Sequence, residues 1–336
     1  DRLREHFYLE HALSIPPLHI SHLGKLMPDF PVALRSCADY GEAPLVSRVG
    51  EALDACGWSP ARGDRVLLKP NLIRAVPLAC THPLVIKGAA TWLLDRGVHV
   101  TVADSPGFGT AKGVARAIGL EDALRPLGLE ICEMDNPVPI AVGEKRNRVP
   151  KWGVSRLALE SDALLSLPKV KAHGMMRLSL AVKNLFGTVR GLRKAWAHTL
   201  EGENVVAFAA CILELYRALP PSVALLDGVT AMHVTGPVRG KPYPLGLLAA
   251  SPDAMAADSA IYHLFGVSPD QVPLWDTAQK RGLPQAFPEH LSYPLSPPSA
   301  FSHPDFLLPG RLNDVSFRPH RLFFSLCRRA WYALTN

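Results

Sequence analysis

The stretch Ser161–Asn184 reads SDALLSLPKVKAHGMMRLSLAVKN, and its first half decides the fold. Ala163–Leu167 is a short apolar run broken only by Ser166, the mark of a strand buried on both faces. Beyond Pro168, Lys169, Lys171 and His173 alternate with Val170 and Ala172. A period of two places those three polar side chains on one face of a continuing strand. Lys183 and Asn184 then fall in a helix-like apolar run, Gly187 and Gly191 punctuate the chain beyond it, and Lys194 and His198 close this basic region. A packed core does not need so many basic groups around one strand end, whereas a site that holds an anion or a metal does.

Outward from this stretch, strands and helices alternate. Arg65–Lys69 reads as a strand closed by Pro70 and Asn71. Pro83–Asp95 reads as a helix, with Thr81 or His82 as its cap and Gly97 as its stop. Val98–Ala103 alternates Val98, Val100 and Val102 against His99 and Thr101, a strand pattern, and Ala111–Ile118 is helical. Upstream, Leu45–Cys56 has helical spacing and ends at Gly57. Downstream, Leu129–Glu133 is a short strand, 136–154 has the makings of a hairpin, and Asn204–Leu219 is an amphipathic helix. Val223–Leu226 is a strand that delivers Asp227, Leu245–Ala250 is a buried strand, and Asp253–Phe265 is a helix with Ser251 as the expected cap. This order predicts an α/β fold, a mostly parallel sheet flanked by helices, in one body or two α/β lobes. The expected organisation is an N-terminal extension over 1–44, a core domain over 45–265, and an irregular Pro-rich region over 266–336. The last of these ends in a basic amphipathic helix at 318–334 carrying Phe323, Phe324, Trp331 and Tyr332.

Composition narrows the function classes. Of 336 residues, 48% are hydrophobic, enough to bury a sizeable core and too many for a disordered chain. Lys and Arg exceed Asp and Glu by 36 to 30, which suits an anionic small molecule, nucleic acid or anionic lipid as partner. The basic residues are scattered and no nucleic-acid module accompanies them, so nucleic acid is not the expected partner. None of the six cysteines lies within three residues of another, so an iron–sulfur cluster or zinc ribbon is not expected. Reduced, mostly buried thiols fit a cytoplasmic location. No apolar run reaches the ~20 residues of a membrane span; the C-terminal helix is read first as docked on its own domain, with contact to a membrane surface or a partner as the alternative.

In a parallel sheet, ligands gather at the carboxyl ends of the strands. Lys69 and Asn71 follow one strand, Asp104 and Ser105 a second, Lys169, Lys171 and His173 a third, and Asp227 a fourth. Topology would bring these groups to one edge. The turn Asp104–Thr110, with Gly107 and Gly109, has the composition of an anion nest, and equally that of an ordinary strand-to-helix turn. Lysines on buried strand ends need a counter-charge, from a ligand or from Asp104 and Asp227. A lysine crowded by other cations can instead lose its proton and serve as base or nucleophile.

Taken together, several runs resemble one family: Leu67–Leu72 (LLKPNL), Thr81–Pro83, Ala103–Gly107 (ADSPG), Leu167–His173 (LPKVKAH), Val182–Gly187 (VKNLFG) and the Lys194/His198 pair. These motifs, followed by Leu226–Gly228 and Ser251–Asp258, stand in the order found in domain-of-unknown-function family 362, over about residues 45–265. Many members of that family carry ferredoxin-like cysteine motifs, which this chain lacks. A weaker similarity is to the nickel-pincer lactate racemases, through His173, Lys183 and His198 in that order. That similarity implies a nickel-type cofactor anchored by Lys183, with His198 as a metal ligand and His173 as acid or base.

The expectation is therefore an enzyme acting on an anionic small molecule, with an isomerase- or racemase-like or a redox-linked reaction and a divalent metal or bound cofactor. Lys69, Lys169, Lys171 and Lys183 would hold negative charge, and Asn71, Ser105, Gly107 and Asn184 would orient it. Asp104, His173 and Lys183 are the catalytic candidates, and His198 and Asp227 the metal candidates. The competing readings are a non-enzymatic ligand- or metal-binding protein of the metallochaperone kind, and a basic nucleic-acid-binding protein.

Overall fold

The computed structural model describes residues 29–142, 151–190, 204–301 and 303–312. Its centre is one sheet of ten strands. In chain order these are β2 (Ala33–Ser36), β3 (Arg65–Pro70), β4 (His99–Asp104), β5 (Ile131–Glu133), β8 (Ala163–Leu167), β9 (Lys169–His173), β10 (Arg177–Ser179), β11 (Ser222–His233), β12 (Lys241–Tyr243) and β13 (Leu247–Ser251). Two small pairs stand apart: β1 (Phe30–Pro31) with β14 (Leu291–Ser292), and β6 (Pro137–Ala141) with β7 (Lys151–Ser155). The latter pair is the antiparallel arrangement expected for 136–154.

Strands β5, β4, β3, β8 and β11 lie side by side and parallel. On the far side of β11 come β13 and then β2, each antiparallel to its neighbour. The strand β11 is unusually long. Its first residues pair with β8 and its later ones with β9, the continuation of β8 past Pro168, with a shift in register between the Asp227–Lys169 and Met232–Lys171 pairs. The expected mostly parallel α/β sheet is thus present. β2 comes from the segment expected to be an N-terminal extension, yet its residues Ala33 and Leu34 are fully buried in the sheet.

Helices cover both faces, and the period-two alternation of the strands explains why. On one face Val66, Leu68, Val102, Leu165 and Leu225 pack with the helices Glu42–Ala55 and Pro83–Leu94. On the other, Leu67, Ala103, Leu164, Leu226 and Ala249 pack with Val205–Ala218, Ala254–Leu264 and Pro273–Lys280. Pro83 opens its helix and His82 Nδ1 caps it by accepting from Leu84 N–H. At Ala254–Leu264 the cap is Asp253, whose Oδ1 accepts from Met255 N–H and Ala256 N–H. Ser251 instead supports that cap by accepting from Asp253 N–H, because it still belongs to β13. No helix among the described residues is long and apolar enough to cross a membrane. The predicted helix at 318–334 lies outside the described residues, as do Lys194 and His198.

Candidate functional site

Three strand ends and one helical turn build a buried polar network on the carboxyl edge of the parallel strands. Lys69, near the end of β3, is 1% exposed. Its Nζ donates to Asp104 Oδ1 at 2.6 Å, to Pro70 O at 2.7 Å and to Asn184 Oδ1 at 3.2 Å. Asp104 is gripped further by Leu72 N–H and Ser105 N–H. Asn184 ends a single helical turn, Ala181–Asn184, anchored by the buried Asp258, which accepts Ala181 N–H and Val182 N–H. Ser166 faces the same side as Lys69 in the neighbouring strand and donates to Ala181 O.

From Asn184 the network continues to the third strand. Asn184 Oδ1 also accepts from Asn71 Nδ2 at 2.9 Å, and its own Nδ2 donates to Lys69 O and Ser166 Oγ. Those bonds use both donors and both acceptor sites of the amide. Asn71 Oδ1 in turn accepts from Lys171 Nζ at 2.6 Å. Lys171 makes its other bond to Ala79 O at 2.9 Å. A hydrogen-bonded line therefore runs Asp104–Lys69–Asn184–Asn71–Lys171.

A second buried pair sits beside it. Lys169 Nζ lies 2.5 Å from Asp227 Oδ2. Tyr40 OH donates to Asp227 Oδ1 and accepts from Lys169 Nζ and Thr230 N–H. His82 N–H donates to Asp227 Oδ2, and the His82 and Tyr40 rings stack at 3.7 Å. Burial, reinforced by the Asp227 charge, raises the Tyr40 hydroxyl far above its ordinary value, so it stays a neutral donor. Tyr40 and His82 are not among the candidates that the sequence offers. Tyr40 lies in an irregular segment without periodicity, and only the Thr81–Pro83 motif draws attention to His82.

The charge balance singles out Lys171. Lys69 and Lys169, expected to hold a ligand's negative charge, are each neutralised by a protein carboxylate. Lys171 is 1% exposed and has no carboxylate within ion-pair distance among the described residues, only the neutral oxygens of Asn71 and Ala79. Burial pulls its pKa down from 10.5 to about 8, helped by the charges of Lys169 and Lys69. The Cys80 thiol, next to Ala79, is raised by burial and donates to Arg74 O.

The other candidates are placed differently. Lys183 is on the same helical turn as Asn184, but its Nζ lies over the rings of Phe186 and Phe208, at 4.8 and 5.2 Å. His173 is buried and its Nδ1 accepts from Met175 N–H and Met176 N–H, which leaves Nε2 as the protonated nitrogen of the neutral ring. The turn after β4 folds against Ile73 through Phe108 N–H, with Gly107 beside the Ile73 carbonyl. Just past that turn, Ala111 N–H, at the start of the following helix, donates to Glu133 Oε1 at 2.5 Å. Asp227, a metal candidate, is engaged by Lys169, Tyr40 and His82, and no metal-holding cluster of three or more His, Cys, Asp or Glu occurs among the described residues. His198, which the racemase resemblance would make a metal ligand, lies outside the described residues.

Gly187 is visible in the sequence only as punctuation. In the structure it lies against the Lys69–Asp104 pair, and a Cβ on it would collide with the Lys69 ammonium. On the outer side of the segment Pro77–His82 a cavity of about 400 Å³ is lined by Pro77, His82, Glu42, Lys87 and Asp122, among others.

The thylakoid-associated protein sll1697 of Synechocystis sp. is 34% identical over 270 residues, covering 80% of this chain and 83% of that protein. Two solved structures are similar at a TM-score of 0.44: the lactate racemase apoprotein from Thermoanaerobacterium thermosaccharolyticum, 17% identical, and a protein from Thermotoga maritima, 15% identical. The matches cover 66% and 65% of this chain, and the chain spans only 54% and 57% of those proteins. A model of the family described as "Domain of unknown function (DUF362)" matches residues 66–263, which contain every described member of the network except Tyr40. The chain belongs to the DUF362 family.

Proposed function

We propose that the protein is an enzyme acting on an anionic small molecule at the carboxyl ends of β3, β4 and β9. The observation that carries this reading is the uncompensated charge of Lys171. A buried ammonium without a counter-ion is costly, and an anion beside Nζ would supply the missing charge. Lys69–Asp104 and Lys169–Asp227 hold the walls of the site in place, and Asn71 and Asn184 fix the distance between them. His173 lies on the same strand, two residues on, as a proton carrier.

Native mass spectrometry of the purified full chain tests this, with calorimetric titration against inorganic phosphate, malonate and pyruvate. Binding of an anion that Lys171→Met abolishes supports it. Absence both of a copurifying anion and of binding heat at millimolar concentration overturns it. A ligand that binds and is recovered unchanged after long incubation would favour the non-enzymatic binding protein.

A peripheral membrane contact is a second reading. Its support is the run 318–334, which carries Arg318, Arg321, Arg328 and Arg329 among aromatic residues and no acidic one. The name of the Synechocystis relative points the same way. Co-sedimentation with anionic vesicles should fall when Arg328 and Arg329 are changed to Glu, and unchanged sedimentation removes the reading.

A further inference from the structure

We propose that Lys171 is an imine-forming residue and that the substrates of this site are small anionic carbonyl compounds of the 2-oxo acid kind. This rests on the anion-binding reading above and deepens it.

Three lysines reach the same buried edge, and two of them face a carboxylate there. Lys69 and Lys169 each face a carboxylate at 2.6 and 2.5 Å; burial pulls the Lys69 pKa down, and its ion pair with Asp104 opposes that fall. Lys171 donates to two neutral carbonyl-type oxygens, and burial, with the charges of Lys169 and Lys69, lowers its pKa by more than Cys80 and Asp104 raise it, so it holds more free amine than an exposed lysine. Its pKa near 8 agrees with that placement. At neutral pH such a lysine holds on the order of a hundred-fold more free amine than an exposed one.

Position supports the chemistry. Lys171 projects from a strand paired on both sides, so its nitrogen is held rather than swept through solvent. Both of its acceptors belong to the segment Asn71–Ala79, whose residues Arg74, Ala75 and Pro77 are exposed. Access of a substrate to the amine requires that segment to move outward.

The step balances without a further reactant. The amine nitrogen attacks the carbonyl carbon, a C–N bond forms, and the carbonyl π pair moves to oxygen, which takes a proton. The resulting carbinolamine loses water, leaving a C=N bond. Starting from the ammonium, the products are one protonated imine and one water, so the single positive charge survives opposite the substrate carboxylate.

The test is reductive trapping. The full chain is incubated with pyruvate, 2-oxoglutarate or glyoxylate and cyanoborohydride, and the adducts are mapped by peptide mass spectrometry. The expected result is an adduct on Lys171 that forms much faster than on exposed Lys112, with a rate that rises with pH and levels off above about 8. Lys171→Arg, which keeps the charge, should give none at that position. Adducts confined to exposed lysines, or none with any of the three compounds, overturn the proposal, and the wild-type map decides this even if the variant fails to fold. Anion binding by calorimetry without an adduct leaves the site reading intact and removes the imine; absence of both removes both.

Discussion

The backbone of Gly187 and the side chain of Lys69 are in direct contact, with no room for a methyl group between them. A Cβ on Gly187 would also lie 2.6 Å from Asp104 Oδ1. The side chain that must yield is fixed by three hydrogen bonds. Gly187→Ala should therefore cost about 1–3 kcal/mol in urea unfolding, as overpacking does. Combined with Lys69→Met, its cost should shrink, giving a coupling energy of about 1 kcal/mol or more.

The Lys69–Asp104 pair should behave as a buried pair whose partners are each partly satisfied without the other. Without Lys69, Asp104 keeps the amides of Leu72 and Ser105; without Asp104, Lys69 keeps Pro70 O and Asn184 Oδ1. Lys69→Met and Asp104→Asn should each destabilise by about 3 kcal/mol, the low end for a broken buried pair. The double variant should cost less than the two together, as read from equilibrium unfolding.

Lys171 should leave a signature in the pH dependence of stability. It titrates near 10.5 in the unfolded chain and near 8 in the fold. Between those values the unfolded chain binds the extra proton, so stability rises with pH across that window. The other buried thiols, phenols and lysines also titrate there, so the informative quantity is the difference from Lys171→Met. Wild type should gain about 3 kcal/mol relative to that variant between pH 8 and 10.5. A flat difference would mean that Lys171 titrates normally.

Tyr40 ties the first helix-bearing segment to the site through one oxygen. Tyr40→Phe removes a donor to Asp227 and leaves Thr230 N–H without its acceptor. A loss of about 1–3 kcal/mol should follow. Hydrogen exchange at the Thr230 amide should accelerate beyond the change in global stability.

The strand ends are legible in the sequence because a parallel α/β order sends polar residues to one edge, and the runs ending at Lys69, Asp104 and Lys169 obey it. The partnership of each lysine is not legible. It depends on β3 lying between β4 and β8, and on β11 bending from β8 to β9, which are facts of strand order rather than local pattern. Asn184 has the sequence position of a ligand-orienting group, yet its amide is saturated by Lys69, Asn71 and Ser166. Spacing along a chain cannot reveal saturation. Tyr40 and Gly187 contribute through contacts with residues distant in sequence, so neither has a periodic signal to read.

The length and late position of β11 impose an order of assembly on a chain made from one end. Lys69 and Asp104 are 35 residues apart, so they can meet once β3 and β4 have left the ribosome. Asp227 comes 58 residues after Lys169 and 187 after Tyr40. Until it emerges, β8 is paired on its β3 side alone and Lys169 lacks its counter-ion. A nascent chain that stalls before Ser222 thus presents an open strand edge and an unneutralised lysine, the state that chaperones would have to shield.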